Sequence, residues 1–281
     1  MLPEERAIRL LERCLPSVGL GCRLAAVLVP WGFFLRTPQR LNGAILAAVL
    51  GVSWGLVALV HPAQLAVLTI EDGLFEWAGA LAFLGASVVF LVEYIRTRAG
   101  HALALVRTPR SLLLVGFSLL FFVAFGEEIS WGQRLLGLQS PTLFSEYNRQ
   151  GEINIHNLPV FHGRDPSGER KSGLALWLNV DRLFTVFCLT WLLALPLAAK
   201  ANGRIAHWLR RLGVPLAPAW VGAFFLANYL LSKAFEYGAD RALAHSVVEV
   251  KECTSAFVVL AAAVAITLAR RLASPSATQA T

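Results

Sequence analysis

Two adjacent carboxylates stand where an apolar run of the chain ends. The run SLLLVGFSLLFFVAF is followed by Gly126, Glu127 and Glu128, and then by Trp131 and Arg134. Adjacent carboxylates at such a position repel each other, so an arginine, a metal ion or a shared proton must stabilise them. If the helix continues, Glu127, Trp131 and Arg134 share one stripe at i, i+4 and i+7. We predict that Glu127, Glu128 and Arg134 are catalytic and that Trp131 lines a substrate pocket. The alternative is an interfacial tryptophan beside an ion pair.

A second polar motif, NIHN, follows about 20 residues later in a long connection. It contains His156 between Asn154 and Asn157. A histidine in this setting is a candidate general base or metal ligand, and its neighbouring amides could contact a substrate. The sequence therefore predicts His156 as catalytic and Asn154 and Asn157 as pocket residues. The alternative is a loop histidine with neither role.

Two further clusters carry oxygen and nitrogen ligands at helical spacing. Asp72 and Glu76 form an i,i+4 pair at the start of an apolar run, with Glu71 beside them. His245 and Glu249 form a second i,i+4 pair before the last apolar run. We predict these five residues as candidate ligands of a divalent cation, and Glu76 also as a pocket residue. A helix cap at the first cluster and a solvated turn at the second are the alternatives.

The elements that position these residues are membrane helices. The chain has 281 residues, of which 56% are hydrophobic, and its mean hydropathy is +0.60. Apolar runs of about 18 residues or more are typical of membrane spans. The composition predicts an all-α, polytopic integral membrane helical bundle with six to seven transmembrane helices. The six firm spans are residues 41–60, 74–95, 111–128, 183–199, 215–233 and 253–269, and residues 17–35 are the doubtful seventh.

The same pattern divides the chain into two regions. Residues 1–40 are expected to form an N-terminal amphipathic, membrane-associated segment. Residues 41–281 are expected to form one transmembrane domain with an extracytoplasmic insertion at about 129–182. The four cysteines are scattered without a CxxC pair, so neither a disulfide framework nor a zinc ribbon is indicated.

Charge alternates between successive connections and predicts the topology. Residues 36–40, 96–110, 200–214 and 270–281 carry twelve Lys or Arg and no acid. Basic loops remain in the cytoplasm, so the C-terminus is expected to be cytoplasmic and the polar motifs to face outwards. The net charge of +7 is therefore explained by topology, and no nucleic-acid partner is expected. The predicted location is the bacterial cytoplasmic (inner) membrane.

The motifs EDGLFEW, GEEISWGQRLLG and N-x-H-N, in this order, resemble a group of uncharacterised bacterial multi-pass membrane proteins. This resemblance implies the membrane fold and no activity. The Glu-Glu pair is similar in part to that of the CAAX-type intramembrane metalloproteases, but Arg134 stands later and their F-x-x-x-H is missing. The acidic, aromatic helix start is similar in part to the alkaline ceramidase superfamily, whose H-x-x-x-H is also missing.

Three classes of function follow from these observations. The first is a metal-assisted enzyme that acts on a lipid or lipid-linked substrate at the extracytoplasmic face. The second is an ion- or proton-coupled transporter. The third is a non-catalytic membrane assembly protein. In the enzyme model, Glu76, Glu127, Glu128, Arg134, Asn154, His156 and Glu249 are expected to converge in one pocket beneath the NIHN segment.

Overall fold

The computed structural model describes residues 37–98, 109–148, 151–162, 169, 171–239 and 241–273. Within these ranges every regular element is helical. The long helices are α1 (Thr37–Leu59), α3 (Leu74–Arg98), α4 (Pro109–Glu128), α8 (Val180–Ala201), α10 (Ala219–Gly238) and α11 (Arg241–Ala273). The shorter helices are α2 (Pro62–Leu68), α5 (Gln133–Leu136), α6 (Thr142–Tyr147), α7 (Leu174–Trp177) and α9 (Gly203–Leu212). Each of the six firm apolar runs therefore contains a long helix, as predicted, although the run 215–233 begins with four residues that lie before α10.

Four described helices are long and apolar enough to cross a membrane, namely α1, α3, α8 and α11. A fifth span results if α4 and the segment after it count as one bent span. The predicted number of six to seven is not reached among the described residues. Polar residues inside α10, including Asn228 and Lys233, lower its hydropathy. The doubtful segment 17–35 and the predicted amphipathic helix 1–14 lie outside the described residues.

The described residues from Leu41 onwards form one compact unit, in which α11 lies against several other helices. It packs along α3 and α10 and also contacts α2. Small side chains line it, and Ala256, Ala262, Ala263 and Ala265 are fully buried. Small residues let membrane helices approach closely, because lipid and protein are similarly apolar and packing must supply the stability.

Buried hydrogen bonds join the helices. The hydroxyl of Ser87 donates to the carbonyl of Ser118 at 2.8 Å, and the hydroxyl of Ser118 donates to the carbonyl of Ser87 at 3.0 Å. This reciprocal pair connects α3 to α4. Asn228 of α10 accepts from Trp54 at 2.8 Å and from Thr254 at 2.6 Å. One asparagine therefore links α1, α10 and α11.

The bundle has a carboxylate end, which we define by Glu76 at the start of α3, Glu127 at the end of α4 and Glu249 in the first part of α11. Helix α4 ends at Glu128, and the chain bends by 67° before the segment Ser130–Leu136. The helix therefore ends where the apolar run 111–128 was predicted to end, and the condition that it continues through Trp131 to Arg134 is not met. Instead, the chain folds back across the carboxylate end as short helical turns joined by loops.

Candidate functional site

Arg134 lies among four carboxylates. Its guanidinium nitrogens are 2.6 Å from Glu76, 2.8 Å from Asp72, 2.8 Å from Glu152 and 3.5 Å from Glu71. The carboxylate of Glu76 also accepts from the backbone N–H of Asp72 at 2.6 Å, as an acid in the first turn of a helix commonly does. The start of α3 is therefore both capped and held against the segment after α4 by one arginine.

Glu127 anchors the NIHN segment. One of its oxygens accepts from the backbone N–H groups of Ile155 and His156 at 2.6 and 2.9 Å, and lies 3.4 Å from Nδ1 of His156. Its other oxygen accepts from Nε1 of Trp131 at 2.9 Å. The expected return of His156 to the end of α4 is confirmed by these distances. Arg134 pairs with the start of α3 and not with Glu127, which corrects the ion pair considered from the sequence.

A left-handed turn aims Trp131 at Glu127. Ser130, Trp131 and Gly132 have φ of 46°, 55° and 74° in succession. Left-handed backbone costs about 1–2 kcal/mol for a residue with a Cβ. The turn places the ring of Trp131 tightly against Gly126. A Cβ at residue 126 would lie only 2.8 Å from the ring. Trp131 therefore reaches Glu127 through this turn and not along the face of a continued helix.

A buried polar network supports the turn from below. Ser130 donates to Glu152 at 2.5 Å, and the amide of Asn154 donates to Ser130 at 2.9 Å and to Glu152 at 3.0 Å. Asn148 donates to the carbonyl and side-chain oxygens of Asn154, both at 2.8 Å. Asn154 is only 1% exposed. The structure therefore places Asn154 beneath the surface as a bracing residue, not on the wall of an open pocket.

The remaining acids gather between α4 and α11. Glu128 is close enough to Glu252, Glu249, Glu76 and Glu127 to interact with them electrostatically. Glu249 interacts in the same way with Glu252, Glu76 and Glu71. These are like charges, and repulsion between them must be relieved by protons, cations or solvent. Glu76, Glu127, Glu128, Arg134, His156 and Glu249 therefore lie near one another at one end of the bundle, whereas their arrangement around a single pocket stays a prediction.

Other residues predicted as metal ligands or pocket residues lie at the edge of this cluster or contact other protein groups. His245 is 60% exposed, with Nδ1 at 3.8 Å from Glu249. Asn157 lies in the NIHN segment, half-buried, and takes part in interactions of its own. Among the residues that the structure describes, no three of His, Cys, Asp and Glu are arranged to hold a metal ion. The set predicted as metal ligands does not form such a group: Glu71, Asp72 and Glu76 surround Arg134 instead.

Three residues outside the predicted set of site residues complete the site. Glu152 joins Arg134 to the Ser130 network, although it stands only two positions before Asn154. Lys251 is 8% exposed and donates to Asp181 at 2.6 Å, which ties α11 to α8. Glu252 interacts electrostatically with both His156 and His245. Its position three residues after Glu249 was the available signal, because i,i+3 residues share one helix face.

No protein-family model matches the chain, and no curated protein or solved structure matches it either.

Proposed function

We propose that this chain is an integral membrane enzyme in which His156 serves as general base and acid at the carboxylate end. Its substrate would be a lipid or a lipid-linked molecule that reaches the site from the membrane. By the charge of its loops, this end would face the extracytoplasmic side of a bacterial inner membrane.

The observation that carries the proposal is the pairing of Glu127 with Nδ1 of His156 at 3.4 Å. A carboxylate on one imidazole nitrogen holds the ring in one orientation and one tautomer. Three N–H donors, from Trp131, Ile155 and His156, hold that carboxylate in turn. Nε2 of His156 hydrogen-bonds to none of the described residues, and the side chain is 36% exposed. Nε2 is therefore free to exchange a proton with a substrate or an activating water.

The other residues would have supporting roles. Glu127 orients His156, and Arg134 positions the start of α3 by its ion pairs and is too fully engaged to bind an anion. Glu128, Glu249 and Glu252 place three carboxyl groups close together at this end, where their ionised forms would repel one another. A cationic group at the reacting position would relieve this repulsion, whereas a phosphate would add to it.

The test is a comparison of host-cell lipids. Membranes from cells that express the native chain should differ in at least one lipid species from membranes that express His156→Gln or Glu127→Gln. The matched control is His61→Asn, because His61 is exposed, caps α2 and would be replaced by another good capping residue. Equal lipid profiles for the native chain and His156→Gln, at equal expression, would refute the enzyme assignment. Metal content of the purified chain, measured in the same preparations, tests whether a divalent cation accompanies the carboxylates.

A second candidate, cation- or proton-coupled transport, is favoured by a different observation. Glu128, Glu249 and Glu252 repel one another at the ends of membrane helices, and ionisable groups in such helices commonly mark an ion path. Cation or proton uptake into proteoliposomes should then depend on Glu128 and not on His156. Loss of uptake in Glu128→Gln, with uptake retained in His156→Gln, would favour transport over catalysis.

A further inference from the structure

Helix α9 has the chemistry of a membrane-surface helix. It spans Gly203–Leu212, begins after the Asn202 cap and ends at left-handed Gly213. It connects α8 to α10 and contacts α4 as well as α8. It follows the last residue of the candidate span Val180–Ala201 almost directly. Its position is therefore next to the membrane boundary, at the opposite end of α8 from Asp181.

One face of α9 is apolar and largely uncovered. Ile205, Trp208 and Leu212, at i, i+3 and i+7, are 38%, 57% and 50% exposed. Only Leu209 on this side is buried, where it packs into the bundle. A surface helix inserts such a face into the boundary between headgroups and acyl chains.

Arginines line the edge of this apolar face. Arg204 and Arg211 are exposed and lie on the helix surface next to Trp208, since they are four residues before and three after it. The guanidinium of Arg211 lies 5.4 Å from the Trp208 ring centroid, in a cation–π arrangement. Within residues 200–214 there is no acidic residue to neutralise these charges locally.

We propose that α9 binds anionic phospholipid headgroups, with Trp208 seated among the acyl chains and Arg204 and Arg211 on the phosphates. The apolar face requires an apolar partner, and its arginine edge requires an anionic one. An acidic phospholipid supplies both, because its acyl chains lie directly beneath its anionic headgroup in the same leaflet. This surface is independent of the carboxylate end and of the proposed reaction there.

The experiment measures thermal unfolding of the full-length chain in a neutral detergent. Phosphatidylglycerol, which binds only the folded chain by this proposal, should raise Tm, whereas phosphatidylcholine should raise it less. Arg204→Gln/Arg211→Gln should lose at least half of the phosphatidylglycerol-dependent rise. The matched control is Arg96→Gln/Arg271→Gln, which removes the same charge from two exposed arginines at the ends of α3 and α11. The control should keep the rise.

A second variant separates lipid binding from a general charge effect. Trp208→Ser retains all arginines and removes the exposed apolar anchor, and it should also lose at least half of the rise. Equal rises in the native chain and both α9 variants would overturn the proposal. An equal loss in the control pair would also overturn it, and so would a rise of the same size with inorganic phosphate in place of the lipid.

Discussion

At the scale of single residues, the hydrogen bonds of Glu127 determine the geometry of the proposed site. It is the acceptor for three N–H donors that come from the turn after α4 and from the NIHN segment. One side chain therefore decides where His156 lies and how it is oriented. An isolated carboxylate at a helix C-terminus faces the negative end of the helix dipole, so these donors are also what makes its charge tolerable.

The contact between Trp131 and Gly126 can be tested by a single methyl group. A Cβ at residue 126 would lie 2.8 Å from the indole, so Gly126→Ala must displace Trp131 from Glu127. We expect a loss of about 1–3 kcal/mol in the free energy of unfolding, the usual cost of overpacking. The measurement is Tm of the purified variant, together with indole accessibility to a soluble quencher.

Gly116 provides the control for this substitution. It lies in the same helix, and nothing lies within 4 Å of its Cβ position. Gly116→Ala should leave Tm unchanged or raise it slightly, since alanine favours the helix by about 1 kcal/mol. If the two variants melt alike, Trp131 is not held against α4 as described.

At the scale of elements, α8 contains an irregularity on which the packing of α10 depends. Residues Leu189–Ala194 form a π-helical turn, and Pro196 follows in the next turn. Proline has no N–H to donate to the carbonyl four residues earlier, which is that of Leu192. Gly222 of α10 approaches this carbonyl so closely that a Cβ at residue 222 would clash with its oxygen. Lipid offers no hydrogen bond, so a freed carbonyl must be covered by protein.

Gly222→Ala should therefore disrupt the α8–α10 contact. The obstructing atoms belong to the backbone of α8 and cannot turn aside, so the helices must separate. We expect destabilisation at or above the upper end of the roughly 1–3 kcal/mol typical of overpacking. The readouts are the monodisperse fraction in size-exclusion chromatography and Tm. Gly55→Ala, with nothing within 4 Å of its Cβ position, is the matched control and should behave like the native chain. A native-like Gly222→Ala would contradict the close approach.

At the scale of the whole molecule, charge is separated between the two ends of the bundle. Glu76, Glu127 and Glu249 lie at one end, whereas Arg204, Arg210 and Arg211 follow the last turn of α8. Basic segments remain on the cytoplasmic side of a membrane. This separation predicts that the NIHN segment faces the outside and α9 the cytoplasm.

Cysteine labelling tests this orientation. Glu146 and Ala201 are both exposed and belong to opposite sides in the predicted topology. In a background with Cys14 and Cys22 changed to Ser, the remaining Cys188 and Cys253 are buried. Glu146→Cys should react with an impermeant thiol reagent in intact cells, and Ala201→Cys only after permeabilisation. The reverse pattern would invert the topology and move the proposed site to the cytoplasmic face.

The sequence by itself determined the helical class and the positions of the long helices. Apolar runs of sufficient length become helices because the membrane interior requires every backbone group to be hydrogen-bonded within the chain. It also indicated that the polar motifs share one end, since charge alternates between the connections.

Only the tertiary structure decided which polar groups meet. Helical spacing suggested an ion pair between Arg134 and Glu127. In the structure, the left-handed turn at Ser130–Gly132 directs Arg134 to ion pairs with Glu76 and Glu152 instead. Likewise, Asn154 is a buried brace and Lys251 is paired with Asp181 across two helices. Helical periodicity predicts neighbours within one helix, whereas these contacts join residues 18 to 70 positions apart through a sharp turn and helix packing. Such contacts depend on how the segments fold over one another, which no local pattern records.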